Sequence, residues 1–183
     1  MEVEDLKIPA VKLVTPKRFG DNRGFFSEVY NFNVFSQYGI ADRFVQDNHS
    51  LSAEVGTLRG LHFQKEPFGQ VKLVRVIRGR ILDVAVDLRK ASSTYGTHVA
   101  VELSAENFAQ LLIPVGFAHA FCTLEPDTEV IYKVSEYYSP QADAGVLWSD
   151  PELAIEWPFP ADKLTLSDKD SRLPLLRDVG VVF

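Results

Sequence analysis

Lone histidine, tyrosine and lysine side chains inside apolar runs are the raw material of acid–base chemistry, and this chain offers several. In "RGLHFQ", Arg59 to Gln64, His62 stands in an otherwise apolar run that ends at Phe63. An imidazole ordinarily titrates at about 6.5, so it can take or return a proton near neutral pH; it can equally be a packed residue with satisfied nitrogens, or a metal ligand. His119 sits in a similar apolar run, "IPVGFAHAF", after the turn formers Pro114 and Gly116. Two histidines in one β-rich chain raise the question of a metal. The usual local signal, a second histidine one residue on and a carboxylate soon after, is missing, because Phe63 and Gln64 follow His62. In "EVIYKV" Tyr132 shares the phase of Val130 and Val134, so its phenol either packs with a bonded hydroxyl or faces a cavity as a proton donor. "LSDKDSRLP" has the Ser-x-x-Asp pattern, Ser167 to Asp170, of a capping arrangement, or else Asp170 orients a histidine.

Period-2 alternation points Arg59 and His62 to opposite faces of a strand. A bulge at Gly60 would change that phase; without one, Arg59 serves a different site, for instance across a subunit boundary. "KRFGDNRGFFSEVYN", Lys17 to Asn31, gathers Arg18, Arg23, Phe19, Phe25 and Phe26 around two glycines. It reads as a solvated charged loop, or as a surface for a ligand carrying both phosphates and a flat base.

The elements that must position these groups are strands. Short segments rich in Val, Ile, Leu and Phe recur at close spacing with turn residues between them, the pattern of an all-β sandwich or barrel. Helix is confined to a turn or two near Val34 to Tyr38, after the cap Asn33, and another near the C-terminus. "VKLVRVIRGRILDVAVDL" reads as two strands joined at Arg78-Gly79, where glycine supplies the positive φ of a tight hairpin. In that register Lys72, Val74, Val76, Ile81, Asp83 and Ala85 share one face, and Leu73, Ile77, Leu82, Val84 and Val86 the other. Lys72 and Asp83 are then diagonal neighbours, either a structural ion pair or a cation aimed into a cavity. Both faces are largely apolar and need cover. A second sheet supplies one side and a partner subunit the other, which favours a homodimer.

With 183 residues, 46% of them hydrophobic, and no repeat or linker, the chain is expected to form one domain over 1–183 with a substantial core. The net charge of −6 gives no positive field for nucleic acid or an anionic membrane, so an anionic ligand must meet a local basic cluster. The first twenty residues lack an apolar core of signal-peptide length and no later run is long enough to span a membrane; the expected location is cytoplasmic. The single Cys122 excludes an internal disulfide and a cysteine-based zinc site, and reads as a small buried apolar side chain.

Taken in order, "FGDNRGFFSEVYN", "FVQDNHS", "LRGLHFQ", "GQVKLVRVIRGRILDVAVDLRKASSTYG", "LSAENFAQLLIPVGFAHAF", "YKVSEYYSP", "LWSDPELAIEWP" and "LSDKD" resemble the dTDP-4-dehydrorhamnose 3,5-epimerases of deoxysugar biosynthesis from about Lys17 to Asp170. The resemblance implies an all-β, cupin-type jelly roll that acts as a homodimer on a dTDP-4-keto-6-deoxyhexose, with no metal and no organic cofactor. It also implies roles: His62 as general base with Asp170 as its partner, Tyr132 as general acid, and Lys72 beside the keto oxygen. Arg23, Glu28, Gln46, Asn48, Arg59, His119 and Lys169 match positions that contact the nucleotide sugar, and Phe19 and Phe26 match those that flank thymine. Asp143 stands at a further contact position, where the family pattern has glutamate.

Overall fold

The computed structural model describes residues 1–180 and 182–183. Its strands are β1 (Glu2–Asp5), β2 (Lys12–Thr15), β3 (Phe19–Asp21), β4 (Gly24–Phe26), β5 (Gln46–Ser52), β6 (Leu58–Gln64), β7 (Lys72–Arg78), β8 (Arg80–Asp87), β9 (His98–Ser104), β10 (Gln110–Ile113), β11 (Phe117–Thr123), β12 (Thr128–Val134) and β13 (Asp143–Gly145). They form a six-stranded sheet in the order β1-β2-β10-β7-β12-β5, a five-stranded sheet in the order β13-β6-β11-β8-β9, and the small hairpin β3-β4. From β5 to β13 the chain changes sheet at every step except β8 to β9. That alternation is the jelly-roll signature, and it agrees with the fold expected from the strand pattern and the resemblance.

The Arg78-Gly79 hairpin does not form. β7 and β8 lie in different sheets and share no ladder. Gly79 has φ +76°, and a Cβ there would come within 2.3 Å of Thr128 Oγ1, so the glycine turns a corner between layers. Crossing over gives each strand two ladder partners, β10 and β12 for β7, β11 and β9 for β8, whereas a hairpin would give each only one neighbour from the turn. Two strands apolar on both faces belong in the middle of sheets.

The shared face survives this correction. Val74, Val76, Ile81 and Ala85 meet in one core with Val99, Leu103, Leu111, Phe117, Phe121 and Val130, because the two strands now face each other across the sandwich. Each valine, leucine, isoleucine and phenylalanine among them contributes on the order of 1.5–3 kcal/mol by leaving water. Lys72 and Asp83 therefore approach from opposite sheets and are not diagonal neighbours on one sheet. Val84 and Val86 pack outward with Leu61, Phe63, Val146, Leu153 and Leu176. Leu73 packs outward with Phe35, Ile40 and Leu112. The chain's own C-terminal segment and its first helix thus cover much of the second apolar face, so the two-faced pattern does not by itself require a partner subunit.

Helix α1 (Phe32–Ser36) is capped by Asn31, whose side chain accepts from the backbone N–H groups of Asn33 and Val34; the cap lies two residues before the one expected. The C-terminal helical content is α2 (Leu176–Val179) and two 3-10 turns, Ala161–Lys163 and Asp170–Arg172. The second of these turns lies against β6.

Candidate active site

The open end of the sandwich holds a cavity of about 440 Å³ whose lining includes Arg59, His62, Lys72, His119, Tyr132 and Asp170. A second lobe of about 220 Å³ shares His62, Lys72, Tyr132 and Lys169 with the first and adds Gln46, Asn48, Gln64, Tyr138 and Asp143. Six different strands and the Thr165 to Asp170 segment therefore aim polar groups into one hollow.

The phase conflict between Arg59 and His62 is resolved by a bulge. His119 pairs with His62 and Phe121 with Arg59, so two steps on β11 match three on β6. Gly60 has φ +126°, and a Cβ there would lie 2.5 Å from Ala120 Cβ and 2.6 Å from His119 O. Only glycine fits this turn of the strand. Gly60→Ala is expected to destabilise the protein by roughly 2–5 kcal/mol, the sum of overpacking and backbone strain. Urea denaturation checks this, and an unchanged midpoint would mean that the strand has another way to bring Arg59 and His62 together.

His62 Nε2 lies 2.6 Å from Asp170 Oδ1. The Asp170 side chain is only 4% exposed, against 32% for His62. Burial pushes the Asp170 carboxyl up, but the hydrogen bond and charge of His62, the Gly60 N–H and Ser167 outweigh it and hold the group below the usual carboxylate range. In "LSDKD" the Asp170 carboxylate reaches the imidazole, while the Ser167 hydroxyl accepts from the Asp170 backbone N–H at 3.1 Å without capping the 3-10 turn, whose cap position is Lys169. A carboxylate on one ring nitrogen fixes the tautomer and supports the imidazolium once a proton is taken.

Lys72, at the start of β7, is 8% exposed, and its ammonium donates to the His62 carbonyl at 3.4 Å. Loss of solvent pulls its pKa down to about 8, opposed by the charges of Asp83 and Asp143 and assisted by that of Lys169. Burial pushes the Tyr132 phenol up, and the nearby charge of Arg59 opposes the rise. The phenol thus stays protonated at neutral pH, next to a cation that would stabilise its anion. His119 bonds through Nε2 to Asp83 Oδ1 at 2.5 Å. Burial pulls its pKa down against Asp83's pull the other way, with the charges of Lys72 and His62 adding to the fall. His62 and His119 thus each commit Nε2 to a carboxylate, which is the arrangement of oriented bases and donors.

Arg59 bonds to Ser52 Oγ and the Leu51 carbonyl at the rim. Gln46 donates to Asn48, and Asp143 accepts from Lys169 Nζ at 2.5 Å and from the Tyr138 hydroxyl at 3.1 Å. Phe19, Arg23, Phe26 and Glu28 are not brought to this cavity. Phe19 and Phe26 are 56% and 71% exposed on the β3-β4 hairpin, Arg23 is paired with Asp21, and Glu28 shares a separate depression with Phe19.

Ser50 was not singled out in the sequence. It lines the cavity with a buried hydroxyl that has no partner among the described residues. The signal was there: Gln46, Asn48 and Ser50 alternate with the exposed Asp47, His49 and Leu51 along β5.

A base with its carboxylate, a protonated phenol, a buried ammonium and a rim arginine around one hollow can remove a proton from carbon, hold the charge on oxygen, and return a proton elsewhere. Comparisons with known proteins point the same way. The family model for dTDP-4-dehydrorhamnose 3,5-epimerase matches residues 5–178. A dTDP-4-dehydrorhamnose 3,5-epimerase of Sinorhizobium fredii is 52% identical over 187 residues, covering 100% of this chain and 93% of the relative. The crystal structure of a Bacillus anthracis enzyme of that name, with TDP and PPi bound, superposes with a TM-score of 0.92 at 55% identity, covering 95% and 98% of the two chains. That of a Legionella pneumophila 3,5-epimerase in complex with dTDP-4-keto-L-rhamnose gives 0.92 at 44% identity, covering 96% and 93%.

Proposed function

The chain belongs to the dTDP-4-dehydrorhamnose 3,5-epimerase family, and from that premise we propose that it converts dTDP-4-keto-6-deoxy-D-glucose to dTDP-4-keto-L-rhamnose by inverting C3 and C5, without metal or organic cofactor. The observation that carries the reading is the His62–Asp170 pair sharing one cavity with Tyr132 and Lys72. The C4 ketone acidifies the protons on C3 and C5. His62 takes one of them, the electron pair moves onto the C4 oxygen as an enolate, and Tyr132 delivers a proton to the opposite face. The imidazolium and phenolate left behind return to neutral through a net proton transfer before the second carbon reacts.

Positioned acids and bases contribute about 10² to 10⁴ in rate each. The largest contribution is assigned to Lys72, whose buried ammonium meets the developing charge. Gln46, Asn48, Arg59, His119, Asp143 and Lys169 are assigned to holding the nucleotide sugar, with Arg59 on the diphosphate, and their binding energy positions the ring.

Incubation in D₂O with dTDP-4-keto-6-deoxyglucose, followed by NMR, tests the reading. Deuterium at both C3 and C5 with inversion is expected. Uptake at one carbon alone would make the enzyme a single-carbon epimerase, and no uptake would leave only a binding protein.

We further propose a homodimer in which Phe19, Arg23, Phe26 and Glu28 of one subunit serve the cavity of the other. Supporting this, the β3-β4 hairpin presents exposed aromatics and lies apart from its own chain's cavity, while β5, which contributes Gln46, Asn48 and Ser50 to that cavity, is the edge strand of its sheet. No helix among the described residues is long and apolar enough to cross a membrane. The proposed compartment is the cytoplasm, which suits a chain with a single thiol and no disulfide.

A further inference from the structure

Asp83 has no part in the chemistry described so far, yet it is the most deeply buried charge near the cavity. It is 0% exposed. One carboxylate oxygen accepts from His119 Nε2 at 2.5 Å, and the other, Oδ2, has no hydrogen-bond partner among the described residues. A buried acceptor left unpaired costs on the order of 1–3 kcal/mol, more when it is charged. Asp83 does not line the cavity, whereas the two groups it sits behind, His119 and Lys72, both do. Among the described residues Lys72 makes only its long bond to the His62 carbonyl.

We propose that Asp83 is a positioning residue for the reaction: a buried counter-charge shared by His119 and Lys72, which holds the imidazole in one orientation and keeps the ammonium charged where the enolate oxygen forms. This rests on the epimerase reading above. Several groups face Lys72: Asp83 from β8, His62 from β6 with Asp170 behind it, His119 from β11, Tyr132 from β12, Asp143 from β13, and Lys169 from the turn before the second 3-10 helix. Asp143 and Lys169 are bonded to each other and act on Lys72 in opposite senses, so their effects offset. His62 and Asp170 likewise form a pair. Asp83 is paired in the same way with His119 through one oxygen, but its second oxygen has no partner among the described residues, and it is the foremost influence opposing the loss of the Lys72 proton on burial. His119, with its Nε2 proton given to Asp83, keeps Nδ1 as an acceptor.

The test is the pH dependence of kcat/KM for the wild type and Asp83→Asn, together with dTDP affinity. The wild-type alkaline limb is expected near pH 8, where Lys72 titrates. In Asp83→Asn that limb should move down by about one unit or more, the usual effect of removing a nearby opposite charge, while dTDP affinity stays within about two-fold. An unmoved limb, or a loss of activity equal at all pH values, would overturn the proposal. Should Asp83→Asn fail to fold, the double variant Lys72→Met/Asp83→Asn decides, since it removes both charges. It should melt above Asp83→Asn, or fold where that variant does not, and no improvement of either kind would contradict the shared-charge role. A wild type that shows no deuterium uptake defeats the epimerase reading alone, and the melting comparison still judges the coupling.

Discussion

His62→Asn lowers kcat by about 10² to 10⁴ and leaves dTDP binding intact, if one imidazole is the base for both carbons. Asparagine is the informative replacement because its amide can still donate to Asp170, a carboxylate only 4% exposed. Alanine would strand that charge and mix a folding defect with the chemical one. Deuterium uptake at C3 and C5 should fall together, since both protons leave toward the same group. Steady-state kinetics with NMR detection of exchange decides the matter: undiminished exchange at either carbon would assign that proton to a different base, and undiminished exchange at both would remove His62 from the mechanism. The measured loss also reports on Asp170, because the carboxylate acts only through the ring it orients.

Much of the site was legible because single polar residues in apolar strands stand out. His62, Lys72, Tyr132 and Asp170 meet in one cavity. What the sequence left open was geometry that depends on partners distant in the chain. Alternation could state that Arg59 and His62 conflict in phase, but the bulge that reconciles them is enforced by Ala120 and His119, about sixty residues away. The expected Arg78-Gly79 hairpin fails for a related reason. A glycine at positive φ serves a tight turn and a corner between sheets equally well, and only the ladders with β10, β12, β11 and β9 decide between them. The placement of Asp83 depends on the same ladders, because as a diagonal neighbour of Lys72 on one sheet it reads either as an ion-pair partner or as the neighbour of a cation aimed into a cavity. From the opposite sheet it becomes a charge shared with His119. Ser50 is not legible from sequence alone, because a serine in a strand carries little signal until its face is known to be the cavity side.

Tyr132→Phe is expected to separate exchange from inversion. Phenylalanine keeps the ring that lines the cavity and removes only a hydroxyl that has no hydrogen-bond partner among the described residues, so the fold and His62 are left in place. The base can still remove a proton from C3 or C5. Its imidazolium, on a side chain 32% exposed, can exchange with solvent and return a deuteron to the face it came from. Inversion needs a proton on the other face, and it should fall by about 10² to 10⁴ while deuterium continues to enter with retained configuration. Proton NMR in D₂O distinguishes the two, since an epimerised sugar and a deuterated but unepimerised one differ in their ring couplings. If inversion in Tyr132→Phe stays near the wild-type rate, the acid lies elsewhere. The unpartnered hydroxyl of Ser50, in the same cavity and on the strand that pairs with β12, is then the next group to replace. Exchange lost along with inversion would instead mean that the phenol is needed to form the enolate at all, and that removal and return of the proton are not separable steps.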